Sequence, residues 1–257
     1  MKYNSREWDE LSVRIADLLV AEGQVETGRP EEAARLSEDR TMLFRRAAAM
    51  LGDASAGRAQ DGFPAAIGLG SPTIADDLFV LKSPQSPRVA DLRRVAQTLA
   101  VRWFLAEPKH SALSIISADR REGRTAVASN LACIFAQSGV RTLLIDADLR
   151  NPAIHTKFGM AEAAPEAAMY RPVRGVENLS VIPATTLIAL GLDRFMQSAL
   201  QSLIVDMSSV FEVIFVDTPA ASTSNDYQIA ALATTGALCV TRAGVTRARR
   251  SSRVLDL

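Results

Sequence analysis

The chain reads as an α/β fold, a mostly parallel sheet with helices on both faces, preceded by a small helical module. Three observations predict it. From Ala112 onward, short runs that are apolar nearly throughout alternate with longer runs of helical periodicity, the pattern of a parallel sheet covered on both sides. Three of the apolar runs lead directly into polar residues suited to phosphate or metal, and ligands of such sheets bind beyond the carboxyl ends of the strands. Ahead of them, two helix-like stretches are set apart by a segment rich in Gly, Ala, Ser, Asp and Pro.

The first stretch places Trp8, Leu11, Ile15, Leu18 and Leu19 at helical spacing, with Gly23 as its stop. A second helix starts at Pro30 with Glu31 and Glu32 in its first turn, where the helix dipole favours them. It turns Leu36, Leu43, Ala47 and Leu51 to one side and ends at Gly52. Two helices bury little surface, so residues 1–52 make only a small module. Residues 53–88 form the linker, in which "LFVL" is the part apolar enough to order against the next domain. Residues 89–257 make the main domain, opening with a helix from Val89 to Phe104. The strand "ALSIIS" follows, then a loop, a helix from Thr125 to about Ser138, and the strands "RTLLIDAD" and "LSVIPA". The helix "LDRFMQSALQSLIVDMSS" carries Phe195, Leu200, Leu203 and Ile204 on its apolar face. The strand "EVIFVDTP", the helix "DYQIAALAT" and the strand "GALCVTRA" complete the pattern.

A length of 257 residues suits one large α/β domain with an appendage. Basic and acidic residues number 29 each, which argues against a general basic surface for nucleic acid. Cys133 and Cys239 each lie inside an apolar run and read as free buried thiols in a reducing compartment, not as a disulfide or metal site. The opening "MKYNSREWDELSV" is polar, and no apolar run approaches the roughly 18 residues of a transmembrane span. The expectation is a soluble, cytoplasmic protein that meets a membrane through a partner or a surface patch.

The chemistry centres on "SADRREGRTAVASN", Ser117 to Asn130. The phosphate-loop pattern G-x-x-x-x-G-K-[ST] would place Gly at 118 and Lys at 124, where this chain has Ala118 and Arg124. Glu122, Gly123, Arg124, Thr125 and Ala126 lie where strand becomes helix, and the backbone N–H groups of such a turn suit phosphate. The Thr125 hydroxyl stands where Mg²⁺ would be met. Arg124 keeps the positive charge without the compact ammonium shape. Arg121 occupies a position often held by Gly, where a Cβ brings strain. In "LLIDADLRNP", Asp146 and Asp148 leave a strand end, with Arg150 two residues on. They could bind Mg²⁺ directly or through water, or take a proton from an attacking hydroxyl. In "VIFVDTP", Asp217 closes a buried strand and would orient the water shell of the metal. Alone, each motif also reads as an ordinary turn, a solvated Asp–Arg pair or a capping Asp. All three in this order argue against chance.

On these residues, "SPQSPRVADLRRVAQTLAVRWF", "SADRREGRTAVASNLACIFAQSGVRTLLIDADLRNPAIHTKF" and "FEVIFVDTPA", the chain resembles the bacterial protein-tyrosine kinases (BY-kinases) of exopolysaccharide and capsule operons. It is most similar to the soluble kinases associated with chain-length determinant proteins, a subgroup in which Arg for the loop Lys is familiar. The resemblance covers residues 83 to about 250, and "IADLLVAEGQV" is weakly similar to the helical module that precedes such kinases. It implies a P-loop NTPase-type fold, ATP with Mg²⁺, and phosphoryl transfer to tyrosine. It also implies a membrane chain-length determinant (polysaccharide co-polymerase) as partner. By position, Arg124 and Thr125 would face the phosphates and metal, with Glu122, Gly123 and Ala126 completing the nucleotide cradle. Asp146 and Asp148 would form the second acidic motif, one of them the base, and Thr125, Asp148 and Asp217 would serve the metal. His155 would be structural.

The chain also departs from that family. Arg120 and Arg121 precede Glu122 where the family has Pro-Gly. At the positions of the ring-forming E-x-x-R-x-x-R helix stand Ala90, Arg93 and Ala96, so a stable ring is not expected. The tyrosines are Tyr3, Tyr170 and Tyr227, with no tyrosine-rich tail. The region after Phe158 is short and lacks the usual Gly-Leu-Ser segment, and by the family pattern the domain reads as cut short at Leu257. The run "TRARRSSR" reads as a solvated helix face, or one that meets an acidic partner or lipid headgroups. Two rivals stay open: a non-catalytic regulator that binds nucleotide or its partner, and an ATPase switch of the partition or division-site type. Against the second, Asp119 stands where those proteins carry a signature Lys.

Overall fold

The computed structural model describes residues 74–105, 110–161, 168–192 and 197–255. The two helices expected within 1–52 and the first part of the linker lie outside these residues. The chain divides into two compact units. Of the described residues, 97–105 belong to one unit and all others to the second, which holds the sheet.

In chain order the elements are α1 (Phe79–Lys82), α2 (Pro87–Leu99), a π-helical turn (Ala100–Phe104), β1 (Ala112–Ser117), α3 (Arg124–Gln137), β2 (Thr142–Asp146) and α4 (Ile154–Lys157). There follow β3 (Arg171–Pro172), β4 (Leu179–Ile182), α5 (Ala184–Ala189), α6 (Gln197–Ser208), β5 (Val213–Asp217), α7 (Asp226–Ala233), β6 (Ala237–Val240) and α8 (Ala248–Leu255). The sheet order is β3-β4-β2-β5-β1-β6. Every pairing is parallel except that of β3 with β4. This is the mostly parallel, helix-covered sheet the sequence predicts. The short elements α1, α4, α5 and β3 are additions to that reading. A helix of four or six residues spans too few turns to show a period. β3 is two residues long, contains Pro172 and sits at the sheet edge, where a strand proline is tolerated.

β1, β2 and β5 are buried along their whole length, which is why they read as nearly continuous apolar runs. Successive side chains of a strand point to opposite faces. Leu143, Ile145, Ile214 and Val216 face one way and pack with Leu200, Leu203, Ile204 and Met207 of α6. The alternate residues face α3, where Phe135 meets Phe215 edge-on, ring centroids 5.4 Å apart. The register pairs Asp146 with Asp217 and Ile115 with Asp217. Asp146, Asp217 and Ser117, two residues beyond Ile115, therefore share the α3 face at the carboxyl ends of their strands. At the opposite end of β2 and β5 the pairing is pinned. Glu212 accepts from the backbone N–H and the side-chain Nε of Arg141, while the Arg141 carbonyl accepts from the N–H of Glu212.

α3 ends in a Schellman motif: Gly139 donates to the Ala136 carbonyl and Val140 to the Phe135 carbonyl, with Gly139 at φ 81°. Residues from 74 to 88, assigned by composition to the linker, belong to the sheet unit instead. Leu78 and Val80 are buried, so "LFVL" is ordered as its apolar composition predicts, within Gly- and Pro-rich surroundings. Lys157 holds this segment through its side chain on Asp77 and its carbonyl on the Ala75 N–H, and Asn130 fastens it from α3. Asn130 on α3 accepts from the Val80 N–H (3.0 Å) and donates to the carbonyls of Asp77 (2.8 Å) and Ala126 (2.7 Å).

Asn130→Ala leaves the buried Val80 N–H and the Asp77 carbonyl without this partner. It should lower stability by about 2–4 kcal/mol, as for two buried polar groups left unpaired. Urea unfolding, with an unchanged denaturant slope, checks this.

Candidate nucleotide-binding site

The turn between β1 and α3 has the shape of an anion loop. Gly123 sits at φ 94° immediately before the first helical residue, and its carbonyl accepts from the Val127 N–H at 2.9 Å. A Cβ at Gly123 would meet nothing within 4 Å, so the need for glycine lies in the backbone angle and not in space. Arg121 also lies in the left-handed region, at φ 63°, although it carries a side chain. The strain expected from the sequence at this position is therefore present. Glu122 is buried and ties the loop together: one carboxylate oxygen accepts from the Asp119 N–H at 3.0 Å, the other from the Thr246 hydroxyl.

Arg124 opens α3 but does not extend into solvent. Its side chain is 9% exposed. Nε donates to Asp217 (3.1 Å), Nη1 to the Ser117 hydroxyl (3.0 Å) and Nη2 to Asp148 (3.2 Å). The resemblance had this residue facing phosphate; in the structure it faces the carboxylates. Thr125, expected at the metal, lies beside Asp217 and favours its charged form. Asp148 also accepts from the Asn151 N–H at 3.1 Å. Arg124, Thr125, Asp148 and Asp217 are thus brought into one cluster, with Gly123 and Ala126 flanking on the backbone. Sequence reasoning missed Ser117. Its signal was the strand alternation, which puts it on the same face as Asp217.

Asp146 is fully buried and plays a different part from Asp148. One of its oxygens accepts from the Ala153 and Ile154 N–H groups, 3.0 Å each, at the start of α4. The other has no hydrogen-bond partner. Burial, then the nearby Asp217 charge, push this carboxyl up to about 7, against the two amide hydrogen bonds. Burial also raises Asp217, opposed by Arg124 and Thr125.

The basic run after β6 is not merely a solvated face. Arg250 of α8 grips both carboxylate oxygens of Asp119 at 2.7 Å. Val254 is buried in a cluster with Ile116, Ala118 and Tyr227. The run does meet acidic groups, Asp119 and Glu122 of the β1–α3 loop. Cys133 is buried and Cys239 half-buried, and both are free thiols.

The donor set of Thr125, Asp148 and Asp217 is hard oxygen, the chemistry Mg²⁺ takes. As folded, the carboxylates are occupied by Arg124. Among the described residues, no group of three or more His, Cys, Asp or Glu side chains is arranged to hold an ion.

Two outcomes are expected. The folded chain holds the Asp146 proton more tightly than the unfolded chain, whose aspartate titrates near 3.8. The contribution of this group to stability is therefore greatest at low pH, declines as pH rises between about 4 and 7, and is flat above. Asp146→Asn keeps an oxygen for the Ala153 and Ile154 amides. Its urea midpoint should fall less than that of the wild type between pH 5 and 8. Arg121→Gly relieves the left-handed backbone and should raise stability by about 1 kcal/mol, read by thermal unfolding.

No family model matches the chain. Among curated proteins it is 26% identical over 189 residues to the tyrosine-protein kinase YwqD of Bacillus subtilis, covering 70% of this chain and 79% of that one. To the tyrosine-protein kinase CpsD of Streptococcus agalactiae it is 28% identical over 142 residues, 51% of this chain and 62% of the relative. Of the longer EpsB protein of Ralstonia nicotianae, 24% identical over 174 residues, it covers only 23%. The kinase domain of the Escherichia coli tyrosine kinase ETK superposes with a TM-score of 0.60 at 21% identity, covering 79% of both chains. In sequence the chain is similar to these bacterial tyrosine-protein kinases, and in fold it is similar to the ETK kinase domain.

Proposed function

We propose that the chain binds ATP with Mg²⁺ at the β1–α3 loop and transfers a phosphoryl group to tyrosine, as a regulator of exopolysaccharide or capsule synthesis. The observation that carries this reading is the convergence of three strand ends on one loop. β1 delivers Ser117 and the loop, β2 delivers Asp146 and Asp148, and β5 delivers Asp217. Bound Mg-ATP supplies the reactive phosphorus and a polarised leaving group; the chain supplies position and charge.

The loop N–H groups at the start of α3 receive the phosphates, where the helix dipole favours anions. Thr125, Asp148 and Asp217 would hold the ion. Asp148 lies at the rim, 8% exposed, whereas Asp146 is 0% exposed. On this reading the less buried Asp148 would accept the tyrosine proton, while the tyrosine oxygen bonds to phosphorus and ADP departs. Asp146 acts through the backbone, fixing the turn into α4. No helix among the described residues is long and apolar enough to cross a membrane. A membrane chain-length determinant would recruit the chain to the inner face of the membrane.

A second reading is favoured by the commitment of Arg124 to Asp148 and Asp217 and by the strained Arg121: a regulator that binds nucleotide without transferring phosphate. Labelled ATP with Mg²⁺, followed by phosphotyrosine detection, separates the two. Calorimetry should show Mg-ATP bound by the wild type and about 1–3 kcal/mol more weakly by Asp148→Ala, the worth of a charge-assisted contact. Unchanged affinity overturns the metal assignment, and binding without phosphotyrosine selects the regulator.

A further inference from the structure

Arg124 is a buried cation whose bonds all run inward. Its guanidinium reaches side chains from the ends of three strands: Ser117 on β1, Asp148 just after β2, and Asp217 on β5. The carboxylates it holds are the ones that would hold a divalent ion. A small hard cation needs their oxygens in direct contact or through a tightly ordered water. A guanidinium between the same two carboxylates denies both arrangements. Neither carboxylate can be left without a cation cheaply, since Asp217 is 1% exposed and Asp148 8%.

We propose that Arg124 is an internal counter-ion that competes with a divalent cation for Asp148 and Asp217, so that this chain takes its metal only together with phosphate. The inference rests on the nucleotide-site reading above. With the loop empty, the guanidinium neutralises the carboxylates. A phosphate group seated on the N–H groups at the start of α3 offers the guanidinium another anion close to its own backbone. The planar fork turns outward to it, and the incoming ion takes the vacated carboxylates. One buried cation leaves only as another arrives. A lysine would exchange more freely, because its donors radiate from a single point and cannot span three elements in fixed geometry. The choice of Arg at 124 therefore sets an order of binding.

The test uses the full chain without nucleotide and Mn²⁺ alone as the probe, with free Mn²⁺ followed by paramagnetic resonance. The wild type should bind no Mn²⁺ at millimolar concentration. Arg124→Gln should bind it at least about tenfold more tightly, and adding Asp148→Asn should abolish the gain. Equal binding by wild type and Arg124→Gln overturns the proposal, as does a gain that survives Asp148→Asn. If Arg124→Gln is unfolded without metal, millimolar Mn²⁺ should restore a cooperative melt, and failure to restore it also counts against the proposal. No ATP enters the experiment, so failure here leaves nucleotide binding standing, whereas failure of the nucleotide reading shows in the Mg-ATP calorimetry.

Discussion

Asp217 and Asp148 lie in a nearly dry pocket, and such a pair is tolerated only with a cation between them. Arg124 is that cation, and it is equally dependent on them. Each of the three would be costly to bury alone, and each comes from a different part of the chain. The meeting requires β1, β2 and β5 to be adjacent and parallel, so that their carboxyl ends coincide. It requires the two-residue alternation to present Ser117 and Asp217 on the α3 face. It requires α3 to begin at residue 124, which the left-handed angle at Gly123 arranges.

The strands were legible because both faces are covered. A strand with no solvent side has no alternating polar face, so β1, β2 and β5 stand out as mostly apolar runs, with Asp146 and Asp217 at the carboxyl ends of β2 and β5. That Arg124, Asp148 and Asp217 meet was foreshadowed by their positions at or just past buried strand ends. The orientation of Arg124 was not legible. A cation beside both an anion loop and two carboxylates can serve either, and only the tertiary arrangement decides. Thr246 and Arg250 were out of reach for another reason. Their partners Glu122 and Asp119 lie more than a hundred residues away, and no local pattern encodes such a pairing.

The loop between β1 and α3 is held from two sides. Glu122 closes it internally on the Asp119 N–H, and two residues from the C-terminal part close it externally, Arg250 of α8 and Thr246 in the turn before α8. Asp119 is matched by Arg250, whose hydrogen bond lowers the Asp119 carboxyl below its usual range. The strain at Arg121 is sustained by this bracing, as a disfavoured backbone angle persists only where its surroundings over-determine it.

The pin at the far end of the sheet has a consequence for how such a chain can change over time. Asp146 lies five residues beyond Arg141, and Asp217 lies five residues beyond Glu212. The mutual Arg141–Glu212 clasp and the two carboxylates are thus the matching ends of two equal rulers. Inserting or deleting one residue in either ruler would carry its carboxylate to the α6 side of the sheet, since a step of one residue reverses every side chain. Lineages of this chain can therefore gain or lose residues in the connections between strands, but these two segments must change by substitution alone. A half-exposed ion pair, remote from any ligand, keeps the phase of the site.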